Sequence, residues 1–145
     1  MNVATTGRIA ARPDAVFAAL TNPAVLQRAI PGCQSLTGIG DDKYEAKLKI
    51  GVAGLKGEYT GTAEIRDKQP PDSLRLTFAG KGGPGFVRGS ALVRLSADGD
   101  ATLIACDADV QVGGLIAAVG SRLVEAAARK LADDFFGQLA REISA

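Results

Sequence analysis

LIAAVGSRLVEAAARKLADDFFGQLAREI, residues 115–143, is the stretch that decides the fold. Within it Leu115, Val119, Leu123, Ala127, Leu131, Phe135, Leu139 and Ile143 stand four apart. An α-helix advances about 100° per residue, so this spacing holds one apolar stripe on one side. Arg122, Glu125, Arg129, Lys130, Asp133, Asp134, Arg141 and Glu142 fill the other side, and Glu125 and Arg129 are spaced as a favourable pair. No proline interrupts the run. The spacing predicts one helix from Leu115 to Ile143, about 43 Å long. Each step of four drifts by about 40°, so the stripe winds around the helix. A winding stripe suits a strongly curved partner.

The chain before it supplies that partner. Asn2 to Ala10 reads as a first strand. Pro13 suits the first position of a helix, where its missing N–H costs nothing, and Val16, Phe17 and Leu20 follow at helical spacing. Asn22-Pro23 repeats the signal, with Asn as cap, ahead of Val25, Leu26 and Ile30. Pro31-Gly32 ends this pair of short helices. From Cys33 to Val112 the period changes to two. Tyr44, Ala46, Leu48 and Ile50 form one apolar face; Gly57, Tyr59, Gly61, Ala63 and Ile65 form the next. Leu74, Leu76 and Phe78 follow, then Ala91, Val93 and Leu95, then Ile104, Cys106, Ala108, Val110 and Val112. One-sided alternation is the pattern of an antiparallel sheet with one face in water. Turn signals at Gly40-Asp41-Asp42, Gln69-Pro70-Pro71-Asp72 and Asp98-Gly99-Asp100 separate the strands. The expected fold is therefore α+β. A curved antiparallel sheet of about seven strands wraps a long C-terminal helix, with two short helices between strands 1 and 2.

Many inward positions are small: Ala46, Gly57, Gly61, Ala63, Ala91 and Ala108, facing Ala126, Ala127 and Ala128 of the helix. Small residues either let backbones approach or leave a hollow. A long curved sheet holding few aromatic residues favours the hollow, and an apolar hollow with few polar anchors is the usual small-molecule site. The expected lining is Leu48, Tyr59, Ala63, Phe78, Ala91, Val93, Cys106, Ala108 and Val110. Leu115, Val119 and Leu123 would join it from the helix stripe. The segment AGKGGPGFVRGS, residues 79–90, holds one more candidate, Phe86, the only large apolar side chain in a deformable glycine-rich loop. It either caps the mouth of the hollow as a lid or packs as ordinary core. The same segment formally matches G-x-G-x-x-G, but a dinucleotide fingerprint must open a helix, whereas this one contains Pro84 and leads into a strand.

Composition excludes several functions. The 145 residues suffice for one domain, 1–145, with its own core, and 46% hydrophobic with 23% charged is ordinary for a globular chain. A net charge of +1 argues against nucleic-acid binding by phosphate neutralisation. The chain has no histidine, which removes the commonest general base and metal ligand. No catalytic residue, metal or cofactor is expected. Cys33 and Cys106 read as small buried apolar residues, and Asp107 and Asp109 as outer-face charges. The hydroxyls of Tyr44 and Tyr59 point inward, either to orient a ligand or to reach a backbone carbonyl. No apolar run is long enough to span a membrane and no signal peptide is visible, so a cytoplasmic location is expected.

Residues 11–26, ARPDAVFAALTNPAVL, resemble the opening of helix-grip proteins of the START-like SRPBCC superfamily. AIPGCQSL (29–36), GEYTGTAEI (57–65), GGPGFVRGSALVRL (82–95) and ADVQVGGLIAAVGSRLVEAAARKLADDFF (108–136) resemble, more narrowly, the family of the CoxG subunit of carbon monoxide dehydrogenase. The resemblance implies a helix-grip fold around an apolar cavity. It also implies partnership with a molybdenum-containing carbon monoxide dehydrogenase or related hydroxylase, through membrane recruitment and binding of a lipid-like molecule such as a respiratory quinone. Many members carry a C-terminal tail as membrane anchor; here Ala145 closely follows the helix, so membrane contact is expected to be peripheral at most. The expected function is a non-enzymatic accessory protein binding a lipophilic small molecule. The alternatives are a START-like enzyme of cyclase or hydrolase type and a ligand-free assembly or recruitment factor.

Overall fold

Alternation at a period of two becomes one sheet. The computed structural model describes residues 1–145. Strand β1 (Asn2–Ile9) is followed by helices α1 (Pro13–Leu20) and α2 (Pro23–Ala29). Strands β2 (Cys33–Gly40), β3 (Lys43–Ile50), β4 (Gly57–Gln69), β5 (Ser73–Gly82), β6 (Gly85–Asp98) and β7 (Ala101–Gly113) come next. A single turn, α3 (Leu115–Ala118), leads into the long helix α4 (Ser121–Ser144). The seven strands form one sheet in the order β1-β7-β6-β5-β4-β3-β2. Every pairing is antiparallel. This is the α+β helix-grip arrangement that the alternation and the helix stripe predict.

Local chemistry sets the two short helices. Pro13 and Pro23 each lie in a first turn, and the Asn22 side chain accepts a hydrogen bond from the Ala24 N–H at 3.0 Å. The apolar face of α1 is driven into the core: Val16 is wholly buried, and Phe17 and Leu20 nearly so. Each such burial contributes about 1.5–3 kcal/mol.

The long helix differs from its sequence-based expectation at its start. It begins at Ser121, not Leu115, because Gly120 takes φ +95°. That left-handed conformation ends one helical path and starts another. Over its 24 residues α4 is about 36 Å long. From Ala127 onward the four-apart row does face the sheet: Ala127 and Leu139 are buried, and Leu131, Phe135 and Ile143 are half-buried. Ahead of Ala127 the row turns outward. Leu115 is 71% exposed, Val119 43% and Leu123 41%, while Ile116 and Val124 take the inward places.

The core is in two parts. One joins Ile9, α1, Ile65, Leu74, Leu95 and Ile104 to Leu139 of α4. The other gathers Leu55, Tyr59, Ile116, Val124 and Ala127 at the far end of the sheet. Edge strand β1 is clamped by the helix, with Arg129 donating to the Ala4 carbonyl at 2.6 Å. Such a contact blunts an otherwise open sheet edge.

Candidate functional site

Register fixes which side chains meet on the inner face. Ala63 lies opposite Phe78, Phe78 opposite Gly89, and Gly89 opposite Val110. The next row runs Leu76, Ala91, Ala108 and Val3. The next runs Leu74, Val93, Cys106 and Thr5. These rows put small residues in the middle of the sheet, with Phe78 as the one large ring among them.

The two core clusters do not fill that middle. Ala46, Ala63, Phe78, Cys106, Ala108 and Val110 belong to neither cluster, face the helix side, and are only half-buried. A side chain that faces inward and still touches solvent borders unfilled space, since a packed interior leaves few voids. These side chains form an apolar inner face between two plugs of core. Leu48 and Tyr59 stand at the second plug, Val93 beside the first, and Ala91 is fully buried in the floor.

Polar groups are few here. Burial pushes the Cys106 thiol above its ordinary pKa, partly offset by the Thr5 hydroxyl beside it. Tyr59 donates its hydroxyl to the Leu55 carbonyl at 2.7 Å, so of the two roles open to it the structural one is occupied. Burial raises its pKa as well. Every buried side-chain nitrogen and oxygen has a hydrogen-bond partner. No group of three His, Cys, Asp or Glu side chains is placed to hold a metal ion. Cys33 and Cys106 are free thiols and half-buried, less enclosed than their apolar character suggests.

Four expected lining residues lie elsewhere. Phe86 faces out, because Gly82 pairs with Gly85 across a two-residue turn and this parity sends Val87 inward. Phe86 instead covers Gly113, 41% exposed, with the Arg88 guanidinium 5.6 Å from its ring centre. The glycine-rich segment is not a loop but a paired hairpin through Gly80 and Gly89. Leu115 and Val119 stay outside because the chain breaks its helical path at Gly120, and Leu123, inside α4, is exposed while its neighbour Val124 takes the buried place. Sequence reasoning missed Leu55, Ile116 and Val124, which close the far end. The available signal was the glycine at 120, which allows a helix start six residues later, with Val124 rather than Leu123 facing in. Asp107 lies on the outer face as expected, accepting from the Asn2 side-chain amide at 2.8 Å.

A surface concavity of about 1000 Å³ lies on the outer sheet face around Leu92, Arg94 and Leu103. It opens broadly to solvent.

A family model described as the CoxG subunit of carbon monoxide dehydrogenase matches residues 6–144. The chain belongs to the CoxG family. Among solved structures, a conserved protein from Geobacillus kaustophilus is 35% identical, with TM-score 0.95, covering 99% of this chain and 95% of that one. A START superfamily protein from Mycobacterium smegmatis is 13% identical with TM-score 0.78, covering 99% and 97%. The Zhui aromatase/cyclase of a Streptomyces species is 18% identical with TM-score 0.69, covering 99% and 93%. The last two show the fold alone. Comparison with curated protein sequences finds no match. No helix of this CoxG protein is long and apolar enough to cross a membrane.

Proposed function

We propose that this CoxG protein is a non-enzymatic accessory protein. It holds a lipophilic small molecule of quinone or lipid type in the hollow and serves a molybdenum-containing carbon monoxide dehydrogenase or related hydroxylase. The observation that carries this reading is the set of inward, half-exposed side chains between the two core clusters, from Ala63 and Phe78 to Ala108 and Val110. An apolar guest would exclude water from that face and recover the contacts the clusters leave unmade. Thr5 and Cys106 offer only a neutral hydroxyl and a neutral thiol, which favours an uncharged guest. The proposed lining is Ala63, Phe78, Ala91, Val93, Cys106, Ala108 and Val110, with Leu48 and Tyr59 at one end. Membrane contact in this reading is peripheral.

Organic extraction of the purified protein, followed by mass spectrometry, tests the reading directly. Ala63→Trp adds the control. Ala63 sits between Tyr44 and Phe78 on the inner face, so an indole there would occupy the hollow. The variant is expected to stay folded and to lose the guest. In a filled core the same overpacking would cost about 1–3 kcal/mol. A variant that unfolds, together with wild-type protein that yields no apolar compound, sinks the proposal. Turnover of a cyclisable or hydrolysable substrate without added metal would favour a START-like enzyme instead.

A further inference from the structure

We propose that residues 114–120 form a hinged plug at the far end of the hollow and open as a unit to pass the guest; this deepens, and rests on, the ligand-binding reading. The segment is bounded by two glycines in the left-handed region, Gly114 at φ +73° and Gly120 at φ +95°. Such glycines can change backbone direction at little steric cost. Between them lies one helical turn with no charged side chain.

Its ties are few and separable. The Ile116 N–H donates to the Pro84 carbonyl at 2.9 Å, in the turn between β5 and β6. That is the one backbone hydrogen bond from the middle of the segment to the sheet. The other bonds made by residues 117–120 through their N–H groups fall within the segment. Ile116 is also its one deeply buried side chain, 1% exposed, against Leu55, Tyr59, Val124 and Ala127. Its neighbours Leu115, Ala117, Ala118 and Val119 all face solvent. A segment held by one side chain and one hydrogen bond opens locally at a lower free energy than the sheet it covers. Its withdrawal would expose Val112 and then Val110, which continue along β7 into the half-exposed inner face.

Two measurements on the full chain test this. The first is hydrogen exchange of the unliganded protein. Amides 115–119 are expected to exchange well before those of β7 and of the middle of α4. The second is stopped-flow binding of N-phenyl-1-naphthylamine, a neutral apolar fluorophore, to wild type, Ile116→Val and Ile116→Ala. Removing the plug side chain is expected to raise both on- and off-rates by about thirtyfold or more in Ile116→Ala, the scale on which a buried isoleucine matters, with a smaller change, up to about tenfold, in Ile116→Val. The equilibrium affinity should move little. If amides 115–119 exchange only with the whole sheet, the plug is wrong whatever the fluorophore does. If the fluorophore binds and both variants keep wild-type rates, the guest enters elsewhere and the plug is again wrong. If the segment opens but no variant binds the fluorophore, the ligand-binding reading fails and the opening has no guest to pass.

Discussion

Phe136 of the long helix lies on Gly7 of the edge strand: a Cβ at Gly7 would stand 2.7 Å from the ring Cδ2 and 3.1 Å from Cγ. The missing side chain is thus what lets α4 seat on β1. The ring cannot yield easily, because Cγ is close to the root of the side chain and Phe135 packs beside it at 5.9 Å between centroids. Gly7→Ala should therefore destabilise the fold by about 1–3 kcal/mol, as overpacking does. Combining it with Phe136→Leu should recover part of the loss. Urea unfolding midpoints of the single and double variants measure both effects.

The pH dependence of stability on the alkaline side follows from groups whose pKa values rise on folding. Burial raises the Cys33 thiol against a bond to the Ser35 backbone, and burial raises the Cys106 thiol and the Tyr59 hydroxyl. A hydrogen bond to Asp42 raises Lys68. In each case the folded state keeps a proton that the unfolded chain has already released. The stabilisation is complete below the ordinary pKa and is lost as pH climbs through the folded one. Melting temperature should therefore fall as pH passes the ordinary thiol value of 9.0. Cys106→Ala should flatten the slope there. A melting temperature that holds or rises above that pH would contradict the assignment.

Most of the fold is legible in the sequence because strand and helix periods are carried by side chains close together along the chain. Tyr44, Ala46, Leu48 and Ile50 alternate, and they do lie inward. Asn22 reads as a cap and is one. The errors arise where a backbone angle outweighs a pattern. Leu115, Val119 and Leu123 keep a spacing of four across Gly120, and spacing alone cannot register that the helix is broken there. Composition points to Phe86 as a loop residue, whereas its face is set by the parity of a two-residue turn. The proposed hollow is a different case. Whether Ala63 and Ala108 touch the helix or stand off from it depends on how far α4 sits from the sheet. That distance is a matter of tertiary packing, which the alanines themselves do not carry.

Phe86 offers a direct check of this geometry. The sequence alone suggests a lid; the register places the ring on the outer face over Gly113, under the Arg88 guanidinium. Arg88 is in turn held by Gln111, whose side-chain oxygen accepts from Nε at 2.8 Å. With 41% of the residue exposed, Phe86→Ser removes only part of a full aromatic burial. The expected loss is about 1–2 kcal/mol, counting the lost apolar area and a weak cation–π contact. Binding and release of N-phenyl-1-naphthylamine should stay at wild-type rates, since the ring does not border the hollow. Val87, one residue on, faces the second core cluster. Val87→Ser should cost more stability than its smaller size implies, because it buries a hydroxyl. Chemical denaturation and stopped-flow fluorescence on the two variants compare these outcomes. Exchange rates that change in Phe86→Ser and not in Val87→Ser would mean that the hairpin presents the opposite face to the hollow.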